Sequence, residues 1–509
     1  MHLDIPLLRD RQLLISGGAG VSGQAIARLA LQLGAQLVLS DPNNERLLHP
    51  EIQKAIEQGQ CIDARPAQAP ELLQRYAIDM VVRSPGLPPD LPLFSAALKQ
   101  GVAVRGELDL AFEILENVRD LLQIQALPVI AITGTDGKST TTSLLAHLIN
   151  CATSRTAIAC GNLGLPLSCV VLAMMGCEDS VFSAAELEQL KPVNGRQDQI
   201  ILVIENSSFQ LETLQAYRVD LALFLNIAHD HLDRYDSMRE YAASKLNLLR
   251  HIQRSGLAIL SDQFLERCEQ SDVLPAGVAS RIIDSGQILK NWPDPAALFW
   301  GKHKIHASQF ALPCRHNWLN LAFALTALAE LDARFPLSVS TEALIRGLAS
   351  YEGLPHRMQI IYADNQLVVV NDSKATTVNA CSQALQCYEN ETLFLFIGGR
   401  AKEKDFSSIR QILDRKAFPA RVYPYGESGA MIASQLGMRE SHARLGLALQ
   451  HAMRDYQSEP GLQNEPHKKI VWLLSPACAS YDEFQNFGQR GDFFAEWVQL
   501  NLGYARKRS

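Results

Sequence analysis

Short, wholly apolar runs alternate along the chain with stretches whose apolar residues recur every three or four positions. The first pattern reads as buried strand and the second as amphipathic helix. QLLIS (12–16) leads through a glycine-rich turn into AIARLALQLG (25–34), and AQLVLSD follows as a second strand ending at Asp41. PVIAI (128–132) leads in the same way, through another glycine turn, into the helical LLAHLI (144–149). Further strands are predicted at ILVI (201–204), LALFL (221–225), VVVND (368–372), LFLFIGG (393–399) and VWLLS (471–475). Strands spaced by helix-length patterns imply mostly parallel sheets covered by helices, an α/β fold.

The pattern breaks at two places. GVAVR gives way to ELDLAFEILENV at residues 105/106, and Gly353-Leu354-Pro355 punctuates the chain farther on. The expected units are therefore residues 1–105, 106–352 and 353–509. Residues 178–200 are polar and irregular and read as an insertion.

A chain of 509 residues is too long for one core. With 47% hydrophobic and 20% charged residues it has an ordinary globular balance, and a net charge of −7 argues against general nucleic-acid binding. The opening MHLDIPLLRDR lacks the run of a signal peptide, and no stretch reaches the length of a membrane span. The ten cysteines are scattered without a CxxC pair, so reduced thiols in a cytoplasmic protein are expected.

The turns and strand ends carry the candidate chemistry. Gly18-x-Gly20-x-x-Gly23 between strand and helix, with Asp41 closing the next strand, fits a dinucleotide, another phosphate-bearing ligand, or a tight turn alone. Gly134-Thr135-Asp136-Gly137-Lys138-Ser139-Thr140 is more specific. Lys138 offers a point charge for terminal phosphate oxygens, and Ser139 offers a hydroxyl for Mg²⁺. Ile132 stands where the standard GxxxxGK[ST] loop has glycine, so this is a shorter version. Glu205, just after ILVI, reads equally as a Mg²⁺ ligand, an N-cap or a surface carboxylate. The crowded His229, Asp230, His231, Asp233 and Arg234 read as metal or phosphate handling, or as a solvated loop.

These clusters, followed by RHNWLN (315–320), GLPHR (353–357), NDSKAT (371–376) and SPACAS (475–480), occur in an order that resembles the Mur ligase family of ATP-dependent amide-forming enzymes. ENSSFQLE, NDSKAT and SPACASYDEFQNFGQRG resemble its D-glutamate-adding type in particular. The resemblance implies a Rossmann-like N-terminal domain holding a UDP substrate, a central mononucleotide-binding ATPase domain and a Rossmann-like C-terminal domain holding the amino acid. It implies cytoplasmic peptidoglycan precursor synthesis by a monomer. The substrates would be UDP-N-acetylmuramoyl-L-alanine and D-glutamate, with neither nucleic acid nor membrane insertion involved. The γ-phosphoryl of ATP would pass to the L-alanine carboxylate, and the D-glutamate amine would attack the acyl phosphate through a tetrahedral intermediate.

Carried over by motif, Gly20, Ser22 and Asp41 would lie near the uridine, and Ser84 and Gly86 near the diphosphate. Asn162, Ser207 and Gln210 would meet the muramoyl-alanine side. Lys138 and two Mg²⁺ ions would neutralise the meeting anions. Ser139 and Glu205 would hold one ion and His231 the other, with Lys245 carbamylated to N6-carboxylysine as a further donor. Asn317 and Asn320 would flank the adenine, Asp372 the ribose and Arg357 the phosphates. Lys374, Thr376, Lys402, Ser480 and the Phe487 N–H would grip the D-glutamate carboxylates. Pro42-Asn43, Asn206, His229, Arg400-Ala401 and Tyr481 depart from the residues usual in that type.

Overall fold

The structure, a computed structural model, describes residues 5–43, 45–190, 199–228, 234–268, 277–290, 298–312, 314–416, 419–458 and 469–503. Two compact units emerge: residues 1–309 with 316–349, and residues 310–315 with 350–509.

The larger unit is built on two sheets. Strands β1 (Gln12–Ser16), β2 (Gln36–Ser40), β3 (Cys61–Asp63), β4 (Met80–Arg83) and β5 (Ala103–Gly106) form a parallel sheet in the order β3-β2-β1-β4-β5. β6 (Val129–Thr133), β7 (Thr156–Gly161), β8 (Ile200–Glu205), β9 (Val219–Phe224), β10 (Ile252–Ser261) and β11 (Ala279–Ile283) form the second, also parallel, in the order β11-β10-β9-β6-β8-β7. A small hairpin, β12 (Leu298–Trp300) with β13 (His303–Ile305), follows. The inner strands are apolar at nearly every position because helices cover both faces. One continuous core joins the two sheets: β5 runs without a spacer into the helix Glu107–Leu121, whose Leu108, Ala111, Phe112 and Leu115 are buried in it. The helix Leu167–Met174 is buried throughout.

The smaller unit carries β14 (Gln359–Ala363), β15 (Leu367–Asn371), β16 (Thr392–Gly398), β17 (Ala420–Tyr425) and β18 (Ile470–Leu474) in the order β14-β15-β18-β16-β17. Only β14 runs antiparallel. Trp472 is fully buried on one face, stacked on Phe394 at 5.8 Å. The expected α/β class is what forms.

Two expectations are corrected. Within 178–200 the chain is not wholly irregular: it makes a turn at Asp179–Val181 and a helix at Ala184–Leu190, and Val181, Phe182 and Leu190 enter the core. Glu186 there pairs with the buried Arg28 at 2.7 Å, tying the segment to the first sheet's helix Val21–Gln32. Residues 191–198 lie outside the described residues. Nor are all ten thiols free, for Cys314 and Cys387 form a disulfide across 73 residues. The segment 310–315 packs into the smaller unit and brings the two Cα atoms to 4.9 Å, a meeting that spacing in sequence does not reveal. The other eight cysteines are free.

Candidate functional site

The phosphate loop forms where β6 ends and the helix Lys138–Ala152 begins, at the carboxyl edge of a parallel sheet. Its shape depends on two glycines. Gly134 has φ +153°, and a Cβ there would lie 3.1 Å from the Leu225 Cβ. Gly137 caps the helix at φ +80°, and a Cβ there would collide with the Asn320 amide oxygen. Asn226, just beyond β9, is a functional residue that the sequence reading missed. Its Oδ1 accepts from the N–H groups of Thr135 and Asp136 at 3.1 and 2.8 Å, while its Nδ2 donates to the Asp136 carbonyl at 3.0 Å. A side chain thereby replaces a neighbouring strand and leaves the helix N-terminus open for an anion. Lys138 donates to the Thr135 carbonyl at 2.6 Å, and Ser139 is buried in the first helical turn, with Thr140 half-buried beside it.

Glu205 closes β8 directly opposite Ile132 of β6, and so flanks the loop. It is 2% exposed. Its Oε1 accepts from Asn162 Nδ2 at 2.9 Å; its Oε2 is buried with no partner among the described residues. The N-cap role belongs instead to Ser207, which makes a capping box with Gln210. A buried carboxylate oxygen without a donor, flanking a phosphate loop that carries a serine hydroxyl, fits a divalent cation held by oxygen ligands. His231, the expected ligand of a second ion, lies outside the described residues with the rest of 229–233.

Lys245 sits on the helix Met238–Leu246 and is buried to 1% exposure. Its Nζ donates to the Gly134 carbonyl at 2.9 Å and lies 4.4 Å from the Tyr241 ring centre. Asn317 and Asn320 are buried side by side, linked at 3.2 Å, with Asn320 against Gly137. The structure thus gathers 134–140, Glu205, Lys245 and Asn320 around one loop.

At the first sheet, Gly20 caps the helix Val21–Gln32, and Gly23 is required because a Cβ would strike the Gly17 carbonyl. Asp41 is buried, its Oδ2 accepting from Ala19 N–H and its Oδ1 from Asn43 N–H, both at 2.9 Å. It braces both turns that border the site. Ser84 leaves β4 beside Gly17, with its N–H on the Ser16 carbonyl at 2.8 Å; Ser22 is half-buried and Gly86 exposed.

In the smaller unit, NDSKAT follows β15 and SPACAS follows β18, which are paired neighbours. Arg490, fully buried and also missed from the sequence, ties them: it donates to Ser373 Oγ at 3.0 Å, the Ser373 carbonyl at 2.8 Å and the Cys478 carbonyl at 3.0 Å. Ser373 Oγ in turn donates to the Phe487 carbonyl at 2.8 Å, and Lys374 Nζ lies 3.9 Å from the Phe487 ring centre. Gly491 lacks a side chain where one would collide with His356, the neighbour of Arg357. Reciprocal bonds between Arg400 and Ala479 at 2.9 Å draw the loop bearing exposed Lys402 toward buried Ser480; Thr376 is half-buried. Asp372 accepts from Ser475 Oγ at 2.9 Å and Met358 N–H at 3.2 Å. Burial pushes its carboxyl up to about 7 against the opposing pull of those bonds.

Comparison with known proteins adds a family. Residues 132–328 match the description "Mur ligase middle domain". A protein of Pelotomaculum thermopropionicum is 30% identical over 97% of this chain and 99% of its own, and one of Pasteurella multocida is 31% identical over 86% and 88%. Both are named UDP-N-acetylmuramoylalanine--D-glutamate ligase. Among solved structures, a MurF from Acinetobacter baumannii shares the fold at a TM-score of 0.53 and 15% identity, over 96% of this chain and 93% of that one.

Proposed function

The chain belongs to the Mur ligase family, and we propose that it joins D-glutamate to UDP-N-acetylmuramoyl-L-alanine at the expense of ATP. The observation that carries the reading is what meets at the end of β6: a phosphate loop, a buried carboxylate oxygen lacking a donor among the described residues, and a buried lysine on the loop's own carbonyl. The name borne by relatives about 30% identical over nearly the whole chain supports the choice of substrates.

The chemistry follows from what a carboxylate lacks. Its leaving group in acyl transfer would be oxide. Transfer of the γ-phosphoryl of ATP to the L-alanine carboxylate gives ADP and an acyl phosphate. The D-glutamate amine adds to that carbonyl, and the tetrahedral intermediate expels phosphate, leaving the amide. Residues 1–105 would hold the UDP end through Gly20, Ser22, Asp41, Ser84 and Gly86, with Asn162, Ser207 and Gln210 toward the acyl end. Residues 106–352 would hold ATP on the 134–140 loop with Asn317 and Asn320. Residues 353–509 would supply Arg357 and Asp372 to the nucleotide. Lys374, Thr376, Lys402, Ser480 and the Phe487 N–H would take the amino acid.

Lys138 would leave the Thr135 carbonyl for the transferring phosphoryl, where its charge offsets repulsion between the two anions. Ser139 and Glu205 would hold a Mg²⁺ ion, and His231 a second; bound Mg²⁺ supplies charge neutralisation at the phosphates. Lys245 would carry a carbamate, formed when its neutral amine adds CO₂ and releases a proton; one N–H remains to keep the bond to Gly134. The protein would work as a cytoplasmic monomer.

The test is phosphate release from ATP, Mg²⁺ and UDP-N-acetylmuramoyl-L-alanine with D-glutamate, with L-glutamate and with no amino acid. Release that requires D-glutamate is expected. Release with L-glutamate alone, or none with either, overturns the substrate assignment. Added bicarbonate should partly restore a Lys245→Ala variant, and no restoration would remove the carbamate.

A further inference from the structure

Arg83, the last residue of β4, immediately precedes the Ser84–Leu87 loop, and its side chain is 6% exposed. Its Nη2 donates to Glu212 Oε2 at 2.7 Å. The same oxygen accepts from Arg234 Nη2 at 2.8 Å, and Glu212 Oε1 accepts from the Tyr235 hydroxyl at 2.8 Å. Arg234 reaches back to the loop: its Nη1 donates to the Pro85 and Leu87 carbonyls at 2.9 and 3.0 Å, while its guanidinium lies 4.0 Å from the Phe209 ring centre. The arrangement is a closed ring. Arg83 holds the loop at its start, Arg234 holds both carbonyls that flank Gly86, and Glu212 joins the two arginines.

Three features make this ring more than packing. It turns two carbonyls of the loop inward onto a cation, while Gly86 stands exposed with nothing within 4 Å of where a Cβ would be. Two guanidinium groups share one carboxylate, so one positive charge is left over beside the loop, and the Nε of each is buried with no partner among the described residues. Glu107 lines the same small cavity as Arg83, but its carboxyl accepts from the Ser168 N–H and hydroxyl, and burial pushes it above the usual carboxylate range. Finally, Glu212 is the C-cap of the short helix Ser208–Leu211, whose N-cap is Ser207, so the ring also ties the Ser84–Gly86 loop to the Ser207–Gln210 turn.

We propose that Arg83 is a positioning residue for the diphosphate of the UDP substrate, acting through Glu212 and Arg234 to hold the Ser84–Leu87 loop in an anion-accepting shape. The proposal rests on the UDP-substrate reading above, and its test does not require turnover. Calorimetric titrations with UDP and, separately, with ATP would be run on the wild type, Arg83→Met and Arg83→Lys. Arg83→Met should weaken UDP about 10-fold, the effect of losing one charge-assisted anchor, and leave ATP within about twofold. Arg83→Lys keeps the charge and a donor, so it should recover to within about threefold of wild type. If Arg83→Met does not fold, Glu212→Gln, which removes the charge joining the two arginines, should likewise weaken UDP and leave ATP within about twofold. UDP affinity unchanged in folded Arg83→Met, UDP and ATP weakened alike, or a wild type that binds no UDP would each overturn the role. D-glutamate-dependent phosphate release by the wild type, measured alongside, judges the ligase reading separately.

Discussion

Glu205→Gln should make the metal-free protein more stable and the Mg²⁺-loaded protein less so. The structure gives both signs. Glu205 is 2% exposed; Oε1 is satisfied by Asn162, and Oε2 is buried without a donor. An unsatisfied neutral polar atom costs ~1–3 kcal/mol and an unsatisfied charged one more. Glutamine keeps an oxygen for Asn162 and places a neutral amide where the charged oxygen stood, so the metal-free variant should gain ~1–2 kcal/mol. With Mg²⁺ at 100 times its dissociation constant, the wild type gains ~2.7 kcal/mol that a variant unable to bind does not. The order of stabilities should therefore invert on adding the ion.

The assay is thermal unfolding of both proteins in EDTA and in saturating MgCl₂, followed by circular dichroism. For a unit of this size ~1 kcal/mol moves the midpoint about 2 °C. The variant should melt a few degrees above wild type in EDTA and below it in Mg²⁺, and phosphate release should fall by at least ~100-fold, the scale on which removing one stabiliser of transition-state charge acts. A variant that melts below wild type in EDTA would show that Oε2 is not a strained acceptor. A variant that keeps the full Mg²⁺ shift would remove Glu205 from the metal site.

Gly137→Ala combines a left-handed backbone (φ +80°) with a collision against Asn320, and the backbone alone costs ~1–2 kcal/mol; the KM for ATP should rise at least ~10-fold, and an unchanged KM would show that the loop accommodates a Cβ. Asp372 titrates at about 7 in the fold, far above an unfolded aspartate, so the native state binds the extra proton between about pH 4 and 7 and loses stability as pH rises through that window. The full window is worth ~4 kcal/mol, and Asp372→Asn should abolish this slope in urea midpoints measured at pH 5.5 and 7.5; a variant that keeps the slope assigns it elsewhere. Maleimide labelling of the unreduced protein should modify exposed Cys151 and spare Cys314 and Cys387 until a reductant is added. Labelling of those two without reduction would show that the disulfide does not form in solution.

What could be read in the sequence, and what could not, divides on whether a residue's meaning is local. The loop 134–140 was legible because an apolar strand, two glycines, a lysine and a helix are contiguous, and each constrains the next. Glu205 was ambiguous alone because its meaning lies in β8 pairing with β6, which sets it beside a loop some seventy residues earlier. Lys245 is a lysine on a helix with nothing in its neighbours to mark it; the approach of the Gly134 carbonyl and the Tyr241 ring, distant in sequence or invisible in it, accompanies its burial. Asn226, Arg490 and Arg83 were missed for a common reason. Each is a single polar residue at or just past a strand end or at a helix start; Asn226 and Arg490 hold backbone groups of a different segment, and Arg83 is tied to the side chain of one. The disulfide and the Arg28–Glu186 pair join residues 73 and 158 positions apart, where spacing carries no signal. Periodicity reports which face of an element is buried. It does not report which buried polar atom is left without a partner, and at Glu205 that is the observation on which the proposed metal role turns.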